Sequence, residues 1–411
     1  MHTTPAVEPF FQQLVMCRSL DELRGMVVAR RKERPITVIH PDGNPKDKSW
    51  LTLQVALALK ELTKKEVLVI DLYAQSCPVE KIWNTSFSYD YVIVNCPKDE
   101  TAIVRAAQVV LNCSKKKFEQ KNAKVVDCDI PKARRQKNLD WLIGHCARVI
   151  ARKTIGLALG SGTVGGLCHL GVLKYFEEQK MPIDMIAGCS GGAMYGALWN
   201  ILGSTEKVIQ SLRAPASKKF SNNLEFAWST KGFSGGKYLQ KIFQKACGST
   251  VSFRDCRIPL QIVATNLQTR KTEFFTSGLL WPAVRASISL PIVFTPVKIR
   301  KTWYIDGGAS DPLPVDVLRN AGMDKVIAVY ATSQTKQNRK VDFHNFINVF
   351  LDSRTIMSDT IAAESAAKAD VFINPDVSRF GMFDYHHLRK LIRLGYQVAQ
   401  KVLQKDDGRT L

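Results

Sequence analysis

The chain reads as an α/β protein made of two parallel-sheet domains, and three observations predict this. From about residue 36 to 330, short apolar runs alternate with longer amphipathic stretches, the pattern of a sheet with helices on its faces. A basic, proline-containing stretch at 129–138 interrupts the alternation, which then restarts. In the second half, two glycine-rich turns each stand between a strand-like run and a helix-like run. The boundary is placed near residue 150, giving a smaller domain over 1–150 and a larger one over 151–411.

Each element has its own signal. Ile36–His40, Glu66–Ile70, Tyr91–Val94 and Lys124–Val126 are short β-prone runs, and Leu51–Lys60 has a helical pattern. Leu139, Leu142, Ile143, Cys146, Val149 and Ile150 recur at helical spacing and lead into a strand at Ile155–Leu159. Helices are expected at Leu167–Gln179 and Ala193–Leu202. A final amphipathic helix carries Leu388, Leu391, Ile392, Leu394 and Val398, and docking on the core is its expected role.

Composition narrows the class. With 411 residues, 45% hydrophobic and 23% charged, the chain buries a sizeable core and is not a disordered protein. No apolar run approaches the roughly 20 residues needed to span a bilayer. Met1 to Leu14 lacks the basic start and apolar core of a secretory signal. Ten cysteines are scattered singly with no C-x-x-C pair, which fits a reducing, cytoplasmic setting.

Fifty-eight Lys+Arg against 37 Asp+Glu give a net charge of +21, which admits nucleic acid or an anionic membrane as partner. Neither zinc-finger spacing nor an aromatic-basic RNA-binding run is present, so no nucleic-acid partner is expected. Residues 201–300 hold 15 Lys/Arg and 4 Asp/Glu. There Lys218, Lys219, Phe220, Phe226, Trp228 and Phe233 mix cations with aromatics, as interfacial segments do. Peripheral association with an anionic membrane surface is the expectation.

Three motifs carry chemistry. Gly188-Cys189-Ser190-Gly191-Gly192 is a G-x-S-x-G set with a strand before it and a helix after it, the context of a nucleophile elbow. Upstream, Gly160-Ser161-Gly162-Thr163-Val164-Gly165-Gly166 could supply backbone N–H groups to an oxyanion. The same turn fits the dinucleotide pattern G-x-G-x-x-G, but that reading wants an acidic residue ending the next strand, and Asp184 precedes it. Asp306-Gly307-Gly308, followed by Asp311-Pro312-Leu313-Pro314, offers a carboxylate at a strand end that can serve as a general base. His344, His386 and His387 follow Asp306 in the order a triad would need, whereas His169 reads as a structural hydrogen-bonding residue.

Together these motifs resemble the patatin-like phospholipases, in particular the bacterial and neuropathy-target-esterase-like branch. The resemblance rests on Leu157–Gly162, Cys168–Leu173, Ala187–Ser190, Val284–Pro291, Asp306–Gly308 and Phe380–Asp384, and it covers about 153–400. It implies a three-layer α/β/α hydrolase domain and a dyad of Ser190 as nucleophile and Asp306 as base. It also implies a Gly160–Gly166 oxyanion loop, a phospholipid or lysophospholipid substrate, and no cofactor or metal. Two positions depart from the family: Gly165 stands where arginine is usual, and Asp311 where asparagine is often found. A weakly active or inactive scaffold with a nucleotide-sensing N-terminal domain, and an acyltransferase using the same dyad, are the alternatives.

Residues 36–126 resemble, more weakly, the partition-type P-loop ATPases, through Asp42–Ser49, Val67–Asp71 and Tyr89–Pro97. The loop has one glycine, and Pro45 removes a donor while Asp47 repels phosphate. Asn95 stands where that family carries aspartate. A degenerate, Rossmann-like domain with a structural or regulatory role is the resulting expectation.

Overall fold

The computed structural model describes residues 14–15, 36–39, 44–65, 67–71, 90–95, 107–114, 119–120, 123–213, 235–331, 346–381 and 385–405. Asp42, Gly43, the segment 218–233, His344 and 382–384 lie outside the described residues. The chain divides into two compact units, 1–153 and 154–411.

The first unit is a six-stranded parallel sheet. Its strands are β1 (Leu14–Val15), β2 (Ile36–Ile39), β3 (Val67–Asp71), β4 (Tyr91–Asn95), β5 (Val109–Asn112) and β6 (Lys124–Asp127), in the order β1-β3-β4-β2-β5-β6. Strand β5 had no counterpart among the sequence expectations. Helix α1 (Pro45–Thr63) starts six residues earlier than its hydrophobic pattern indicates. The reason is local: Asn44 caps it by accepting from the Lys46 N–H at 3.0 Å, and Pro45 fits the first turn, where no N–H is needed. Pro45 to Ser49 are therefore helix, not loop, and the Lys48 side chain is buried. Asn95 at the end of β4 donates to Ser49 Oγ at 3.2 Å.

The basic stretch at 129–138 is also structured. Asp129 accepts from the Lys132 N–H at 2.8 Å and caps α2 (Ile130–Arg135). Helix α3 (Leu139–Ala151) then packs Leu142, Cys146, Val149 and Ile150 against Leu51, Val55, Leu59, Ile93 and Leu111. The Cys128 and Cys146 sulfurs lie 3.6 Å apart as free thiols.

The second unit has an eight-stranded sheet. Strands β7 (Ile155–Leu159), β8 (Met185–Cys189), β9 (Leu260–Asn266), β13 (Lys325–Val329) and β14 (Val371–Ile373) are parallel, in the order β9-β8-β7-β13-β14. Strands β10 (Lys271–Phe275), β11 (Val297–Ile299) and β12 (Thr302–Asp306) add an antiparallel end, with β10 and β12 both pairing with β9.

Every residue of β7 is buried, as a sheet covered on both faces requires. Ala158 and Ala187 face a core shared with Leu313, Val315, Leu318 and Ala362. These come from the segment leading into α9 (Val315–Asn320), from α9 itself, and from α10 (Phe346–Ala366). Leu159 and Ile186, one pleat away, approach Gly196 in α5 (Gly191–Leu202). Helices thus cover both faces, giving the three-layer α/β/α arrangement. Helix α4 (Leu167–Glu178) receives the final helix α11 (Leu388–Lys405), which buries Leu388, Leu391, Ile392, Ala399 and Leu403.

Candidate active site

Register brings Ser190 and Asp306 together. Strand β9 pairs Cys189 with Val263 and Asp306 with Ala264, so the ends of β8 and β12 arrive at neighbouring positions of one strand. Between β8 and α5 the chain turns sharply at Ser190, whose φ of 51° and ψ of −117° are strained for a residue with a side chain. The turn is tight enough to need glycine on its helix side. A Cβ at Gly191 would sit 2.1 Å from the Gly162 carbonyl oxygen, and one at Gly192 would sit 2.1 Å from that of Leu159.

Ser190 Oγ donates to Asp306 Oδ2 at 2.7 Å. The second carboxylate oxygen, Oδ1, accepts from the Gly308 N–H at 2.8 Å. Asp306 is 1% exposed and Ser190 8%. Two further serines fix the pair from behind. The Ser190 N–H donates to Ser287 Oγ at 2.9 Å, and the Asp306 N–H donates to the Ser289 carbonyl at 3.0 Å. Both lie at the end of α8 (Leu280–Ser287) and in the turn after it. Arg285, buried in the same helix, holds Ser289 Oγ and the Thr295 carbonyl. These three residues belong to the Val284–Pro291 segment, for which residue chemistry alone had suggested no task.

The glycine-rich turn is used unevenly. Its Gly160 N–H donates to the Val329 carbonyl, that of Ser161 to the Pro312 carbonyl and that of Gly166 to the Thr163 carbonyl. Gly162 and Thr163 line the cleft with Ser190, Gly191 and Asp306. His169 lies within hydrogen-bonding distance of the Gly160 carbonyl through Nε2, at 2.9 Å, and burial pushes its pKa down to about 4. It is therefore neutral at neutral pH, and the bond to a carbonyl fixes the proton on Nε2. At Gly165 there is no room for a side chain, because a Cβ would lie 2.4 Å from the Ala331 carbonyl oxygen.

The rest of the cleft is apolar, lined by Leu167, Met194, Leu239, Ile242, Leu290 and Phe294 among others. None of its described lining residues is a histidine; His386 and His387 sit in a short turn before α11. The Cys189 thiol beside Ser190 is raised well above its ordinary value, first by burial and then by Asp306 and Asp311, so it stays protonated. Asp311 is itself pushed up to about 6, by burial and by Asp316. Among the described residues no group of three or more His, Cys, Asp or Glu side chains could hold a metal ion. A hydroxyl bonded to a buried carboxylate, on a strained turn facing an apolar cleft, can attack a carbonyl carbon and pass its proton to that carboxylate.

Ser190 thus stands at a strand–turn–helix elbow within a three-layer α/β/α arrangement. Residues 157–319, within the second unit, match the family described as patatin-like phospholipase. The lysophospholipase NTE1 of Chaetomium globosum is 27% identical over 291 residues, 63% of this chain and 19% of that protein. The neuropathy target esterase sws of Drosophila melanogaster is 32% identical over 205 residues, 48% of this chain and 14% of that protein. The chain thus spans less than a fifth of the length of these relatives. Among solved structures, VipD from Legionella pneumophila aligns over 62% of this chain and 67% of that one, with a TM-score of 0.42 and 13% identity.

Proposed function

We propose that the protein is a serine acyl hydrolase of phospholipids or lysophospholipids, with Ser190 as nucleophile and Asp306 as general base. The observation that carries the reading is the 2.7 Å bond from Ser190 Oγ to Asp306 Oδ2 at the floor of an apolar cleft. Ser190 Oγ attacks the ester carbonyl carbon and its proton moves to Asp306. Gly162 and Thr163 flank the developing oxyanion, and the N-terminus of α5 favours its charge. Collapse breaks the acyl–oxygen bond, and the departing alkoxide takes the proton from Asp306. A water then gives a proton to Asp306 and adds to the acyl carbon; collapse breaks the bond to Ser190 Oγ, which takes that proton from Asp306, and the fatty acid is released.

The relatives' names support an ester of this class, and the apolar lining suits an acyl chain. Among the described residues no helix is long and apolar enough to cross a membrane. The +21 charge favours substrate access through peripheral contact with an anionic surface.

The test is labelling with a fluorophosphonate ester, run beside fatty-acid release from phospholipid and lysophospholipid panels. Wild type reacts and turns over. Ser190→Ala abolishes both, and Asp306→Asn keeps the fold while lowering turnover by about 1,000-fold or more. Full labelling of the alanine variant would remove Ser190 from the mechanism.

A further inference from the structure

Asp306 is held by more than the loop that follows it. Arg354, on α10, places Nη2 at 3.0 Å from Asp306 Oδ1, the oxygen turned away from Ser190. One turn further along the same helix, Ser358 Oγ donates to the Gly308 carbonyl at 2.8 Å. Helix α10 therefore grips both ends of the Asp306–Gly308 segment. The grip depends on glycine at 308, where a Cβ would lie 2.4 Å from Arg354 Nη2.

The bonding is selective. Oδ1 takes the Gly308 N–H and the guanidinium, which leaves Oδ2 directed at Ser190 Oγ. Arg354 Nε, in contrast, is buried without a partner. Asp306 is 1% exposed, so its orientation is set by these partners and not by water. No Lys or Arg is found among the described residues lining the cleft on the Ser190 side. At Gly165, in the glycine-rich turn, the Ala331 carbonyl leaves no space for a side chain.

We infer that Arg354 is a positioning residue that holds Oδ1 of Asp306 and so turns its Oδ2 toward Ser190, approaching from behind the carboxylate. This rests on the reading of Ser190 and Asp306 as the catalytic pair. Arg354 lies outside the segment that matches the patatin-like family.

The experiment uses the full chain and a soluble short-chain nitrophenyl ester, with fluorophosphonate labelling rate as a second readout and thermal melting as a fold check. Arg354→Ala is expected to lower kcat about 100-fold with KM changed by less than about twofold, because the group acts on the base and not on the substrate. Arg354→Lys, which keeps the charge but not the fork, recovers part of the loss. Millimolar guanidinium ion added to the alanine variant restores rate, while the same concentration of neutral urea does not. An unchanged kcat in Arg354→Ala overturns the inference, as does a loss that neither lysine nor guanidinium repairs. If the alanine variant does not fold, Arg354→Lys and Arg354→Gln decide the matter by their ratio of kcat: a ratio near one overturns it. Ser190→Ala and Asp306→Asn are run in parallel. If these retain wild-type turnover, the catalytic pair is wrong and the inference falls with it. If they are inactive and Arg354 is dispensable, the pair stands and this inference alone fails.

Discussion

At the residue scale, the site is a set of side chains whose ordinary behaviour has been altered by burial. Asp311 shows it best. Its carboxyl is pushed up to about 6 from 3.8, so the folded state holds the proton more tightly than the unfolded chain. That contribution to stability is complete below pH 3.8 and is lost as pH rises through 6. Asp311→Asn, which keeps the shape without the charge, is expected to stabilise the protein by about 2 kcal/mol at pH 8. The gain shrinks below pH 6 and vanishes below about pH 4; urea unfolding at several pH values reads it. A gain that is equal at pH 4 and pH 8 would show that the charge at 311 is not the cause. Gly165→Arg is expected to lower stability and to gain no activity. The Ala331 backbone occupies the space, and overpacking of this kind costs about 1–3 kcal/mol.

At the element scale, local signals and long-range ones separate. Ser190, its flanking glycines and Asp306-Gly307-Gly308 were legible because each sits at the end of a strand, where a tight turn leaves a pattern of small residues. The Rossmann-like alternation of the first unit was legible for the same reason. What sequence reading missed acts across the fold. Ser287 Oγ receives the Ser190 N–H from 97 positions away, and Arg354 reaches Asp306 across 48. A serine or arginine in a helix carries no local mark of such a task. Capping misled in the first unit: Asn44 and Asp129 each start a helix whose first turn looks like a loop, since proline stands at or next to its first position. Helix α11 tests how elements close on one another. A Cβ at Gly171 of α4 would sit 2.0 Å from the Ile392 carbonyl oxygen. Gly171→Val is therefore expected to separate α11 from α4 and to destabilise the second unit by about 3 kcal/mol or more, measured by chemical denaturation.

At the scale of the whole molecule, charge is the property that connects the site to its surroundings. The net +21 includes the 15 Lys/Arg of residues 201–300, which lie between Ser190 and Asp306 in sequence. Binding to vesicles containing about 30% anionic lipid should fall steeply between 50 and 500 mM salt, since the Debye length drops to about 4 Å or less over that range. Neutralising Lys218 and Lys219 should weaken binding further at low salt. Co-sedimentation provides the measurement, and salt-independent binding would remove the electrostatic account.

The meeting of β8 and β12 on one strand has a consequence for synthesis. Ser190 emerges from the ribosome well before its partner, and between them come β9, to which Asp306 must align, and the α8 segment that supplies Ser287 and Ser289. Contacts that join such distant stretches form late, after the intervening chain has been ordered. A chain truncated before residue 306 carries the hydroxyl without the carboxylate, so an unfinished copy cannot attack lipid by the proposed route. Pairing of β12 with β9 is then the event that brings the carboxylate to the hydroxyl, and the appearance of ester turnover during refolding cannot precede it.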